Sequence, residues 1–310
     1  MGSRLAIDGW SPEYGTSVED QVDLSSEPVD PGVEQEAERW APVAIPPDVD
    51  RPSSVLFVDG VRRIDARAWL VHDAAPDVAH PGVCATVAAG AVYTNGTAAQ
   101  VVTAAVARGV YAASGVEAIV TDHGTYEARP VPDDSAEGLY LAVHAAMTAL
   151  ESEVSAAAPP AELVIYDGPL RNREHGIGYV KTHHVQYLPD PLHAVIGRLG
   201  VGERTPLFLI GGRFTRWSWY VRLPGPVSHP LSGVVRCEVA TAALSSVPEA
   251  TARADVVTAI LRRFASEPHK DPRAPQNLYP IAGLERELRR RLGDQRLLEL
   301  ALRRAAARGV

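Results

Sequence analysis

The chain has little of several things, and each shortage narrows its class. Among 310 residues there are only two cysteines, Cys84 and Cys237. They form neither a metal-binding spacing nor a disulfide framework, and read as small core residues in a reducing cytoplasm. No apolar run approaches the roughly 18 residues of a membrane span, and no basic-then-apolar stretch opens the chain as a signal peptide does. The expectation is a cytoplasmic protein with no membrane partner. No internal repeat is evident. What is present is ample apolar material, 46% of the residues, enough for a sizeable core. The length fits one large domain, or one with appendages.

The formal charge of −8 is unevenly placed. Residues 1–50 carry twelve acids against Arg4 and Arg39, a net of −10, which leaves the other 260 residues at +2. Within these, residues 261–310 hold twelve Lys and Arg against six acids. Residues 1–50, rich in Pro, Glu, Asp and Ser, read as an acidic, partly ordered N-terminal arm. An alternative reading makes them a partner- or dimer-contacting segment anchored by Trp10 and Trp40. The fold proper is expected over 51–310. Arg286, Arg289, Arg290 and Arg291 form a basic stripe near its end, either the wet face of an amphipathic helix or a surface for DNA or a partner.

From Val55 to about Pro130 the pattern is β, with Val61–Val71 as a hairpin partner and further segments at Val83–Thr94, Val101–Ala112 and Val116–Arg129. The Ala-rich middle segments also fit helices. Ser135–Ala157 is the clearest helix: Asp133, Asp134 and Ser135 offer caps, and Leu139, Val143, Ala146, Leu150 and Val154 recur at helical spacing. Strands are expected at Ile177–Leu188, Leu207–Ile210, Trp217–Leu223 and Leu231–Ala243. Helices are expected at Leu192–Leu199, Pro248–Ala265 and Leu284–Ala307.

Two stretches carry chemistry. Val55-Leu56-Phe57-Val58 reads as a strand buried on both faces that delivers Asp59-Gly60, and Leu163-Val164-Ile165-Tyr166 delivers Asp167-Gly168 in the same way. Asp-Gly is a common turn pair, so each alone is also a plain turn former. Side by side, the two carboxylates raise each other's pKa or share a divalent cation. Glu151 and Glu153 lie on the last turns of the intervening helix, within reach of the same cleft. Lys181 lies inside the following strand, next to His183 and His184. Strand–Asp, β segments, helix with Glu, then strand–Asp is the order of an RNase H-like α/β fold: a mixed central sheet flanked by helices, here with an N-terminal acidic extension. In that arrangement carboxylates hold two metal ions for phosphodiester hydrolysis.

The sequence over roughly residues 50–310 resembles the NurA nuclease family. The resemblance rests on Val58-Asp59-Gly60, Ile165-Tyr166-Asp167-Gly168-Pro169-Leu170, Gly178-Tyr179-Val180-Lys181-Thr182 and Tyr279-Pro280. It implies a metal-dependent DNA exo- and endonuclease using Mn²⁺ or Mg²⁺. It also implies a homodimer that processes DNA ends with a HerA-like hexameric translocase. By position it makes Asp59, Glu151 (or Glu153) and Asp167 metal ligands, with Tyr279 and Lys181 as further catalytic residues. The family carries a His eight residues beyond the Tyr, where Glu287 stands here, and Val61 stands where a small hydroxyl residue is usual. Two other functions remain open: a NurA-like subunit with weakened activity that serves a translocase structurally, and an actin-like phosphotransferase, for which Gly211-Gly212 is the one glycine pair.

Overall fold

The apolar run at 55–58 opens a strand that does not turn at Asp59-Gly60 but continues to His72. The computed structural model describes residues 3–7, 23–72, 75–113, 115–171, 173–182, 185–227, 229–271 and 273–308. Its strands are β1 (Ser3–Ile7), β2 (Asp23–Leu24), β3 (Val29–Asp30), β4 (Val55–His72), β5 (Ala75–Thr94), β6 (Ala99–Ala112), β7 (Ile119–Thr121) and β8 (Gly124–Pro130). Helix α1 (Ala136–Ala156) then crosses to β9 (Leu163–Asp167), β10 (Ile177–Val180), β11 (Val185–Gln186) and α2 (Asp190–Gly197). The rest comprises β12 (Phe208–Ile210), β13 (Arg216–Arg222), β14 (Val234–Ala240), α3 (Val247–Phe264), α4 (Tyr279–Arg291) and α5 (Gln295–Ala307).

Twelve of these strands form one sheet in the order β3-β12-β13-β14-β10-β9-β4-β5-β6-β8-β7, with β1 also pairing β4. At its centre, β4, β5 and β6 run antiparallel, while β9 and β10 join parallel to β4. The α/β class and a large mixed central sheet flanked by helices are therefore what the chain forms. The Ala-rich middle is β, not helix. Small side chains there let the covering helices approach the sheet closely: a Cβ on Gly90 would lie 3.0 Å from Leu284 Cδ1.

The alternation of side chains along β4 assigns its two faces. Val55, Phe57 and Val61 join Leu163 and Ile165 beneath α3 and α4, through Val257, Leu261, Leu284 and Leu288. Leu56 and Val58 face α1, through Leu139, Val143, Met147 and Leu150. Ser135 caps α1, its hydroxyl accepting from the Gly138 N–H.

Several boundaries differ from the sequence reading, and Val116–Arg129 divides into β7 and β8. Val61–Val71 is no separate hairpin partner, because β4 stays paired with β5 along almost its whole length, across two irregularities. Ile177–Leu188 divides into β10 and β11, leaving Lys181 just beyond the end of β10. Leu284–Ala307 spans two helices, since Gly293 turns at φ +83° and Asp294 starts α5 by accepting from the Leu297 N–H.

Part of the acidic leader lies against the sheet. β3 pairs with β12, Glu34 grips buried Arg204 through both carboxylate oxygens, and Glu27 holds Arg216. Trp40 is buried against Phe208, in its own chain. Trp10, His183 and His184 lie outside the described residues. Among the described residues no helix is long and apolar enough to cross a membrane.

Candidate active site

The parallel pairing of β4 with β9 ends at Val58 and Tyr166. The next residue on each strand is an aspartate, Asp59 and Asp167. β9 stops there while β4 runs on with β5, so a cleft opens at the carboxyl end of the parallel strands. Such ends are where open α/β sheets bind their ligands. Both aspartates share the strand parity of Val55, Phe57, Leu163 and Ile165, which turns them toward α4.

Asp59 is buried, and its Oδ1 accepts the Gly60 N–H at 2.7 Å. Burial above all, then the charge of Asp167, holds its carboxyl well above the ordinary range; Lys181 opposes this and Glu151 adds to it. Asp167 is raised by burial too, against the pull of Lys181. Lys181 Nζ donates to Asp167 Oδ2 at 2.6 Å and to Asn277 Oδ1 at 3.2 Å. Asp167 Oδ1 is buried with no hydrogen-bond partner.

Glu151 arrives from α1, on the other face of the sheet, and lies over Gly60. A Cβ at residue 60 would come within 2.5 Å of Glu151 Oε1, so the bare glycine is what admits the carboxylate. Arg173 Nη2 donates to Glu151 Oε2 at 2.5 Å. Burial raises the Glu151 pKa and Arg173 counters it. Glu153, the alternative, is exposed.

A cavity of about 310 Å³ joins Asp59 and Asp167 to Arg62, Arg273, Glu285 and Arg289. Glu285 is tied to Arg273 at 2.5 Å and Arg289 at 2.9 Å. Asp59, Asp167 and Lys181 are thus gathered as the sequence reading expects, with Glu151 at their edge.

Tyr279 is placed elsewhere. It begins α4 half exposed, its hydroxyl accepting from Lys270 Nζ at 3.2 Å, and it does not line the cavity. The cause is helical phase: the stripe Ile281, Leu284 and Leu288 faces the core, which turns Glu285 to the cleft and Tyr279 outward. Glu287 points away as well, bridging Arg290 and Arg291 at 2.8 Å, which holds its carboxyl down to about 2. Glu285, Arg273, Asn277, Arg62 and Arg173 are residues that sequence reasoning missed. The i,i+4 spacing of Glu285 and Arg289 was a signal for the first of them. Gly211-Gly212 packs against Pro28 and Glu27 of the leader, with the Gly211 N–H bonded to Pro28 O, so that turn is already covered.

Among the described residues, no group of three or more His, Cys, Asp or Glu side chains forms a ready metal cage. The pair Asp59–Asp167 still suits a hard divalent ion of the kind held by one or two carboxylates plus substrate phosphate. Asp167 Oδ1 has no hydrogen-bond partner, and a cation would relieve two carboxyls whose pKa values burial raises. Glu151 and Glu285 are already neutralised by arginines.

No family model matches the chain, and no curated protein matches it. Among solved structures it is similar to the NurA nuclease from Sulfolobus solfataricus, at 11% identity and a TM-score of 0.45, with 82% of this chain and 85% of that one covered.

Proposed function

We propose that the chain is a metal-dependent DNA nuclease of NurA type, hydrolysing phosphodiester bonds at Asp59 and Asp167. One observation carries the proposal: two aspartates stand at adjacent parallel strand ends, Asp59 buried and Asp167 largely so, with one carboxylate oxygen of Asp167 unsatisfied. Asp59 and Asp167 would hold Mn²⁺ or Mg²⁺, with Glu151 a ligand only after releasing Arg173. When bound, such an ion neutralises charge on the phosphate and makes water a better nucleophile at neutral pH.

The chain's own groups supply the rest. Lys181 fixes the rotamer of Asp167 through Oδ2 and leaves Oδ1 without a donor. Arg273 and Arg289 stand opposite, placed to take up negative charge developing on a scissile phosphate. Arg62, on the β4 wall, orients the entering strand. Homodimer formation, action with a HerA-like hexameric translocase and a place in DNA-end processing belong to the same proposal and rest on the sequence resemblance.

The test is cleavage of single- and double-stranded DNA with and without Mn²⁺, by the wild type and by Asp59→Asn. Cleavage that needs the metal and is lost in the variant supports the proposal. Cleavage that survives Asp59→Asn overturns it. A second reading, a subunit with weakened activity serving a translocase structurally, is favoured by the internal cations on Asp167, Glu151 and Glu285. It predicts Mn²⁺ binding, seen as a melting shift, without turnover.

A further inference from the structure

The two basic regions of this protein differ in whether their charges are already satisfied. On the terminal helices, Arg289 pairs with Glu285, Arg290 and Arg291 with Glu287, and Arg303 with Glu299. Of the basic stripe conspicuous in the sequence, Arg289, Arg290 and Arg291 are thus engaged in ion pairs, and Arg286 makes none among the described residues. On the α1 side of the cleft fewer of the cations are engaged. Arg62, Arg171 and Arg173 lie close enough that their charges jointly depress the His144 pKa, after burial, to about 4. Against these three cations stands one ion-paired carboxylate, Glu151, which Arg173 takes. Among the described residues, neither Arg62 nor Arg171 makes an ion pair.

Arg62 is held by neutral groups instead. Its Nη1 meets His144 Nδ1 at 3.0 Å, its Nη2 bonds the Tyr140 hydroxyl, and its guanidinium lies 4.4 Å from the centre of the Tyr140 ring. His144 is kept neutral, so it adds no charge of its own. Tyr140 and Leu141 are each about half exposed, at 48% and 53%. Arg171 is exposed, and it is the sole non-glycine among the described residues with positive φ, at 48°. A left-handed conformation there costs of order 1 kcal/mol or more, and persists at sites where something else is gained. Arg62 also lines the carboxylate cleft, so the patch and the cleft are continuous.

We propose that Arg62 and Arg171, with the exposed Tyr140 ring beside them, form a track that binds the phosphate backbone of a single DNA strand and leads it to Asp59 and Asp167. Unpaired guanidiniums next to an exposed aromatic ring are the elements by which proteins hold single strands, the charges on phosphates and the ring on a base. The track rests on the nuclease reading of the cleft, but its test is binding and not turnover. It also moves the DNA surface from the terminal Arg stripe to the α1 side.

The experiment uses the full chain in an Asp59→Asn background, which the nuclease reading expects not to cleave, and follows a short fluorescent oligothymidylate by anisotropy at several salt concentrations. Arg62→Gln and Arg171→Gln should each weaken binding at least about three-fold. Each should also flatten the dependence of log Kd on log salt by about 0.7, one phosphate contact on a single strand. Arg303→Gln should change neither. Arg171→Gly supplies the control for folding, because it removes the charge and relaxes the backbone. It should raise the melting temperature while weakening binding as much as Arg171→Gln. Binding by the parent that is unaffected by the Arg62 and Arg171 variants overturns the track and leaves the cleft reading standing. No binding by the parent overturns both.

Discussion

Lys181 donates to one oxygen of Asp167 at 2.6 Å and leaves the other, Oδ1, buried with no partner. One oxygen of that carboxylate is satisfied by the chain, and the other is closed off from solvent without a donor. A buried acceptor left unmade costs about 1–3 kcal/mol, a cost that a bound cation removes.

The first prediction follows from that imbalance. Mn²⁺ should raise the melting temperature of the wild type, because an ion bound only by the folded state stabilises it by mass action. The same titration on Asp59→Asn should give a much smaller shift. Differential scanning fluorimetry across Mn²⁺ concentrations reads both, with Ca²⁺ and Mg²⁺ as further arms.

The second concerns pH in the metal-free protein. Both aspartates have folded pKa values raised above the ordinary 3.8. The folded state therefore holds their protons more tightly than the unfolded one. The stability they contribute is complete below the ordinary value and is lost as pH rises from there through the raised values. Asp59→Asn should melt higher than wild type near neutral pH, and the difference should shrink toward acid. A difference that grows on acidification contradicts the assignment of burial as the dominant cause.

His144 gives the opposite slope. Its pKa falls from 6.5 to about 4 on folding, chiefly by burial. The folded state disfavours its proton, so its contribution is intact above 6.5 and is lost as pH drops toward 4. His144→Gln should abolish that component. Melting curves for wild type and variant, subtracted across this window, isolate it from the carboxylates.

Much of this arrangement was legible in the sequence, and its failures have physical causes. The cap at Ser135, the period of α1 and the two apolar runs before Asp59 and Asp167 are local signals, and the helix and both strands form where those signals lie. Asp59-Gly60 misled, because a glycine that often turns a chain here makes room within a continuing strand for Glu151 and Met147. Strand parity already set Asp59 and Asp167 on one face. Nothing local said that α4 would cover that face, so Glu285 and Arg273 went unseen. Tyr279 and Glu287 were placed by spacing along the chain, whereas the apolar stripe of α4 decides which side chains enter the cleft.

Gly60 offers a test of that packing. In Gly60→Ala the new methyl meets Glu151 Oε1 and Met147 Cγ, at 2.5 and 2.8 Å before relaxation. Overpacking of this kind costs about 1–3 kcal/mol. Chemical denaturation should show the loss, and Met147→Ala in the same chain should recover part of it.

Glu287 should matter little to catalysis. It faces away from the cleft and binds Arg290 and Arg291, so Glu287→Ala should cleave at the wild-type rate. Glu287→His should bring no gain, since a side chain there does not reach Asp59 or Asp167. Single-turnover rates of the two variants against wild type check both statements.

The most direct measurement is Mn²⁺-dependent cleavage of a labelled DNA by wild type, Asp59→Asn and Asp167→Asn, each shown folded by its melting curve. The account predicts turnover by the wild type that requires the metal, and loss of at least a hundred-fold in each variant. Undiminished cleavage by either folded variant contradicts it.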